Sequence, residues 1–345
     1  MIVEFPKLGW SFTINRVAFR MFGMDIYWYA IIIAAGFLLA LIYGLRLARK
    51  SGIDENRFLD VIIVSTIAAF VGARLYYVIP NLDEFHSFAD VLNIRNGGMG
   101  IYGGVITAFV VGFFMCRWRK VPVRTAFDIA SLGFLIGQGV GRWGNFVNQE
   151  AFGSNTTLPW GMYSDNTYLY LAENAESLRR IGVEVNPSLP VHPCFLYESL
   201  WCILGFVLLH FLFKKRRFGG EVFLCYGIWY GFGRFFIEAL RTDSLMTLSG
   251  NFRLSQIVAV LAVIACTVLL IIGFKRHPKQ PKGEAEEYTP VFAGTAGPEV
   301  TERNEAPGTE TAEKVAGEPP VEEESPAPQE GKQAEPDEEK ESGEE

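Results

Sequence analysis

The chain has 345 residues, half of them apolar and 28 of them Phe, with a formal net charge of −7. Twenty of the 38 acidic residues lie after Lys282 against four basic ones, so the remainder is a basic body of net +9. The balance therefore describes a membrane body carrying an acidic tail, not an acidic globular protein, and no nucleic-acid partner is expected.

Residues 1–24 hold Glu4, Lys7, Arg16 and Arg20 among aromatics, without the compact apolar core and small-residue cleavage site of a signal peptide. Residues 1–23 read as an amphipathic arm lying on the membrane surface. Runs long enough to cross a bilayer then recur at 24–45, 59–79, 99–116, 125–147, 193–213, 221–240 and 254–274. The fold class expected is all-α, a multi-pass membrane protein of roughly seven helices, with residues 24–275 as its functional domain. Residues 276–345, rich in Glu and Pro and poor in large apolar side chains, are expected to form a disordered cytoplasmic tail.

Basic clusters follow alternate spans: Arg46, Arg49, Lys50 and Arg57, then Arg117, Arg119, Lys120 and Arg124, then residues 214–217, then Lys275, Arg276, Lys279 and Lys282. The intervening loops are poor in Lys and Arg or balance them with acids. By the positive-inside rule the N-terminus faces outward and the C-terminus faces the cytoplasm.

With that orientation the polar clusters share one depth. The first span opens with Tyr27, Trp28 and Tyr29, which an aromatic belt explains equally well. The second carries Arg74 and Tyr76 into its outer half. The third opens with GGMGIYGG, residues 97–104, around Tyr102, Gly103 and Gly104. These glycines suit either close backbone approach to an anion or plain helix packing.

The fourth span ends in GRWGNFVNQEAFG, residues 141–153, bringing Arg142, Asn145, Asn148, Gln149, Glu150 and Gly153 into one short segment. The fifth starts at His192-Pro193, with Tyr197 and Glu198 a turn inside. In the sixth, Tyr230, Arg234, Glu238 and Arg241 fall on one stripe at helical spacing. A shared polar cavity in the outer half of the membrane accounts for this convergence. Arg142, Arg234 and Arg74 would give it a positive field suited to the phosphate of an anionic phospholipid.

The five cysteines, Cys116, Cys194, Cys202, Cys225 and Cys266, lie in or beside apolar runs without a CxxC pair. They read as buried fillers, so neither a disulfide framework nor a metal site is expected. A metal-dependent head-group transferase would need an array of Asp along one helix, which the body lacks. A phospholipid-binding transporter or flippase would spread polar residues through the full thickness.

GRWGNFVNQEAFG resembles the signature of the prolipoprotein diacylglyceryl transferases, bacterial cytoplasmic-membrane enzymes. Residues 27–29, 72–76, 97–104, His192-Pro193, 196–198 and YGFGRFFIEALR from Tyr230 match as well. The resemblance implies transfer of a diacylglyceryl group from phosphatidylglycerol to the thiol of the lipobox cysteine in a prolipoprotein signal peptide. A thioether forms, glycerol phosphate leaves, and no cofactor takes part. It implies that Arg142 and Arg234 hold the phosphate, that Asn145, Asn148 and Glu150 position the head group, and that Gly153 permits the backbone path. Tyr29 would line the lipid site and Tyr230 would contact the substrate, Glu238 would either pair with Arg234 or orient a substrate group, and His192 matches a family position or serves the start of the fifth span. Many members carry His where this chain has Tyr102. Tyr102 is then either the base for the thiol proton or a hydrogen-bonding partner of the head group, leaving the proton to Glu150, Glu238 or water.

Overall fold

A computed structural model of the protein describes residues 1–93, 97–180, 182–242 and 253–278. The expected tail from 279 onward, and the stretch 243–252 before the last span, lie outside the described residues.

The chain is mostly helical. Among the described residues, seven helices of 18 residues or more are α1 (Trp28–Lys50), α2 (Glu55–Val78), α4 (Ile101–Trp118), α5 (Val123–Asn148), α7 (Cys194–Lys215), α8 (Glu221–Leu240) and α9 (Leu254–Arg276). Two shorter ones, α3 (Phe88–Leu92) and α6 (Asp165–Arg180), lie between them. Among the described residues, five helices are long and apolar enough to cross a membrane: α1, α2 with its continuation, α4, α7 and α9. The other two, α5 and α8, are as long, but they carry the polar side chains of the interior. The last turns of α1, α4, α7 and α9 are basic, whereas those of α2, α5 and α8 are not.

Helix α5 is the hub, packing on α1, α7 and α8. Its Ile129, Leu132 and Leu135 are fully buried beside Phe58, Cys116, Cys202, Leu209 and Val222. Helices α2 and α4 meet through small residues, and a side chain at Gly72, Gly103 or Gly104 would press on the facing helix. Buried Asp128 of α5 also holds the start of α8. Its two oxygens accept from Gly220 N and Phe223 N, both at 2.9 Å, and so cap a helix from a neighbouring one. It lies near the opposite end of α5 from Asn145 and Asn148, so the buried polar groups are not confined to one end of the bundle.

Two tryptophans set the register of α7 against α8. The Trp201 and Trp229 rings stack at 4.1 Å, and each indole N–H donates to the other residue's carbonyl at 3.0 Å. Each ring lies against a glycine of the opposite helix, Trp201 on Gly233 and Trp229 on Gly205. Gly233 adjoins Arg234, and Trp201 lies one turn from Glu198, so the lock places those two charges opposite each other. Replacing Trp229 by Ala should cost about 3–5 kcal/mol and lower the thermal midpoint in detergent. An unchanged midpoint would show that the register is held elsewhere.

The all-α expectation needs correction, because the N-terminal arm is built of strands. Residues 1–27 form strands β1 (Ile2–Phe5), β2 (Trp10–Thr13), β3 (Val17–Met21) and β4 (Met24–Tyr27). Strand β1 pairs with β2 and also with β5 (Tyr163–Ser164), while β3 and β4 form a separate hairpin. The arm is amphipathic at period two: Val3 and Phe5 point inward while Ile2 and Glu4 are exposed. Val3 and Phe5 join Phe152, Met162, Leu171, Val191 and Phe195, the last from the first turn of α7, in a second core separate from the one around Ile129 and Leu132. The first span accordingly begins at Trp28, because residues 24–27 belong to β4.

Candidate functional site

The site forms where α5, α7 and α8 end or begin. After α5 the chain turns at Gln149 and Ala151, both with positive φ (56°), a conformation that costs a non-glycine residue energy and is held here by its surroundings. Gly153 then runs between two helix ends. Its N–H donates to His192 O at 2.9 Å, and Ser154 N–H donates to Leu240 O at 2.8 Å. A Cβ on Gly153 would come within 2.8 Å of the His192 Cβ, 2.9 Å of the Cys194 Sγ and 2.9 Å of Leu240 O. Only glycine fits this path, which ties the end of α5 to the start of α7 and the end of α8.

That tie gathers five charged side chains. Glu198 of α7, whose side chain is 5% exposed, takes Arg142 Nη2 on one oxygen at 2.6 Å. Arg234 Nη1 donates to its other oxygen at 2.7 Å, and Arg241 Nη1 approaches that same oxygen at 3.8 Å. Arg234 also contacts Glu238 at 2.6 Å, a charge contact in which the N–H is not aligned for a hydrogen bond. Three arginines thus converge on two buried carboxylates, and a buried charge network of this kind is by default a functional-site candidate.

A polar chain leads away from Arg142. Its Nη1 donates to Asn145 Oδ1 at 3.2 Å, and Asn145 Nδ2 donates to Glu150 Oε1 at 2.8 Å. Asn148 Nδ2 reaches the same Glu150 oxygen at 3.3 Å. Glu150 then lines an open cavity of about 580 Å³, bounded also by Arg16, Tyr29, Asn148, Asn166 and Tyr170. The Tyr29 ring packs so closely on α5 that a Cβ at Gly144 would lie 2.8 Å from it.

The remaining expectations divide. Tyr102 sits in the first turn of α4 with its ring 6.5 Å from Tyr76, within the electrostatic reach of Arg234 and Glu238. Tyr230 stacks on Tyr226 at 5.7 Å and adjoins the charge cluster. His192 Nδ1 meets the Tyr197 hydroxyl at 3.2 Å, and burial lowers its pKa, which favours the neutral ring. It serves the loop that brackets Gly153. Gly103 and Gly104 face α2, and their missing side chains let the two helices touch.

Arg74 is the clear correction. All five of its N–H groups are taken by backbone carbonyls: Val91, Gly97, Gly98, Asp90 and Asn93, at 2.7–3.0 Å. Gly97 and Gly98 have φ of 85° and 78°, a left-handed pair that turns both carbonyls onto one guanidinium nitrogen. No donor is left for a phosphate. Conversely, the sequence reading placed Glu198 near the site but gave it no role, although it is the residue on which three arginines converge. A buried acid one turn inside an apolar helix was the available signal.

The model of the family described as prolipoprotein diacylglyceryl transferase matches residues 16–272. Among curated relatives, the chain is similar to the phosphatidylglycerol–prolipoprotein diacylglyceryl transferase of Finegoldia magna, 40% identical over 265 residues, covering 76% of this chain and 97% of the relative. The same-named protein of Enterococcus faecalis is 41% identical over 270 residues, with 77% and 92% covered. That of Thermotoga petrophila is 39% identical over 272 residues, with 77% and 88% covered.

Proposed function

The chain belongs to the prolipoprotein diacylglyceryl transferase family, and from that premise we propose that it transfers the diacylglyceryl group of phosphatidylglycerol to the thiol of a lipobox cysteine in a prolipoprotein signal peptide. The observation that carries this reading is the convergence of Arg142 and Arg234 on buried Glu198, with Asn145 and Glu150 leading from Arg142 to the open cavity. It offers a phosphate planar, paired donors held in orientation by buried carboxylates.

In the reaction the substrate thiolate attacks the glyceryl carbon that bears the phosphate. A carbon–sulfur bond forms, the carbon–oxygen bond to phosphorus breaks, and glycerol phosphate leaves with the electron pair. Negative charge grows on the departing phosphate, where Arg142 and Arg234 stabilise it. Glu198 and Glu238 keep both guanidinium groups oriented before substrate arrives. Asn145 and Asn148 fix Glu150 at the edge of the cavity, and Tyr29 borders the lipid. The thiol proton passes either to the Glu150 carboxylate, whose Oε1 accepts from both asparagines, or to Tyr102 in its phenolate form beside Arg234. The pH profiles of Glu150→Gln and Tyr102→Phe assign it, since only loss of the true base removes a limb of the profile.

Seven membrane-spanning helices accommodate this reading, α5 and α8 having their polar faces covered by the bundle. Basic last turns on α1, α4, α7 and α9 support an outward N-terminus and a cytoplasmic end of α9 in the bacterial cell membrane. The arginine cluster then lies toward the outer leaflet.

The test uses purified protein in detergent with phosphatidylglycerol and a synthetic lipobox peptide, following glycerol phosphate release and peptide mass together. A peptide heavier by one diacylglyceryl group, with stoichiometric glycerol phosphate, is the expected result. Lipid binding without transfer in a folded preparation would instead favour a transport role.

A further inference from the structure

Among the described residues the most exposed large apolar side chain is Phe22, at 89%. It occupies the turn between β3 and β4, where Met21 pairs with Met24 and only Phe22 and Gly23 intervene. Both turn residues have positive φ, 51° and 74°. Two-residue turns of this kind favour Asn, Asp or Gly at the first position, because an ordinary side chain there crowds its own backbone. Phe at this point is unfavourable twice over, once for its backbone and once for its contact with water. Neither cost is recovered by a contact among the described residues, and a partner outside the chain supplies the compensation.

The surroundings indicate what supplies it. Phe19, Met21 and Met24 are exposed beside Phe22, and the charges of the hairpin, Arg20 and Asp25, neutralise each other in an ion pair. The base of the hairpin is anchored: Trp28 N–H donates to Arg16 O at 3.0 Å, and Arg16 Nη2 donates to Asn148 O at 2.7 Å. From Tyr27 the strand passes without a break into α1, whose Trp28, Ile33 and Phe37 continue the exposed apolar surface. We infer that the tip of the β3–β4 hairpin, Phe22 with Phe19, Met21 and Met24, is a membrane-inserting element that enters the lipid interface at the N-terminal end of α1. The partner is a lipid surface, and the surface that meets it is continuous with the lipid-facing side of the first span. Insertion of Phe22 recovers its hydration cost, and the neutral ion pair leaves no net charge to hold the tip in water.

The inference rests on α1 crossing the membrane, and the experiment separates the two. Phe22→Trp and Met24→Trp variants of the full chain, in nanodiscs of phosphatidylglycerol and phosphatidylcholine, are compared with the unsubstituted protein for the emission added by the new indole. With lipids brominated on the acyl chains, that added emission should fall by at least half, and aqueous iodide should leave it largely intact. Phe37→Trp, in the apolar middle of α1, is the control. If Phe37→Trp is quenched by brominated lipid while both hairpin variants are quenched by iodide alone, the hairpin stands in water and the inference fails. If Phe37→Trp also escapes brominated lipid, the spanning assignment of α1 fails with it. Quenching or a blue shift at the hairpin that appears only on adding lipobox peptide would assign the tip to the polypeptide substrate and overturn the lipid assignment.

Discussion

Replacing Arg142 by Ala is expected to lower diacylglyceryl transfer by about 10²–10³-fold, the loss typical of removing one donor from a preorganised site for developing negative charge. The fold should survive. Glu198 keeps its 2.7 Å hydrogen bond from Arg234, so no buried carboxylate is left without a cation. Asn145 loses one neighbour but keeps Glu150. Arg142→Lys is the sharper probe. A lysine preserves the charge but has no planar fork with which to hold Glu198, Asn145 and a phosphate together, so it should recover little of the activity. The measurement is the initial rate of glycerol phosphate release at saturating peptide, alongside the thermal midpoint in detergent. Full activity in a folded Arg142→Ala protein would remove the phosphate role. Full activity in Arg142→Lys alone would reduce that role to charge.

Arg74→Lys should destabilise the protein by about 3 kcal/mol or more, a conservative sum for lost charge-assisted hydrogen bonds and carbonyls left unmet. The guanidinium supplies five N–H groups to five carbonyls and lies 5.1 Å from the Phe85 ring centroid. A lysine has three donors on one nitrogen and cannot reach carbonyls spread over two stretches of backbone, 90–93 and 97–98. Those stretches lead into α4, where Gly100 N–H is held by Ala73 O at 2.8 Å and Tyr102 follows within a turn. Release of the cage should therefore speed backbone hydrogen exchange at 88–93 and 97–102 while leaving the turn between α4 and α5 unchanged. Activity should fall as well, through Tyr102. A variant with native exchange and an unchanged thermal midpoint would show that the cage contributes nothing.

Arg142 and Arg74 illustrate what could be read from the chain. Both are arginines in or at the ends of apolar segments, and sequence reasoning placed both in the outer half of the membrane beside an anion. Arg142 was distinguishable because Asn145, Asn148 and Glu150 follow it at spacings that put polar groups within reach. The partners of Arg74 are backbone carbonyls, which no side-chain pattern reveals. The Arg234–Glu238 contact was legible at i,i+4 spacing and is present at 2.6 Å. Glu198 was not legible as a hub, because its three arginines come from two other helices and the segment that follows α8. The glycines at 103 and 104 suited either reading, and the structure brings α2 close against both.

The sequence by itself determined where long apolar helices run and on which ends the basic residues gather, and it singled out residues 141–153 as a dense cluster of polar groups. Those features are local: hydropathy over one span, charge over one loop, and polar groups a few residues apart on one helix. Only the tertiary structure decided that the N-terminal arm pairs as strands with residues 163–164, that Asp128 of α5 caps α8, and that Trp201 and Trp229 lock α7 to α8. It also decided that three arginines share Glu198. The physical reason is the same in each case. A helix or strand displays its faces in its own sequence, but a buried charge, an unpaired strand edge or an indole N–H is satisfied by whichever distant segment packing brings to it.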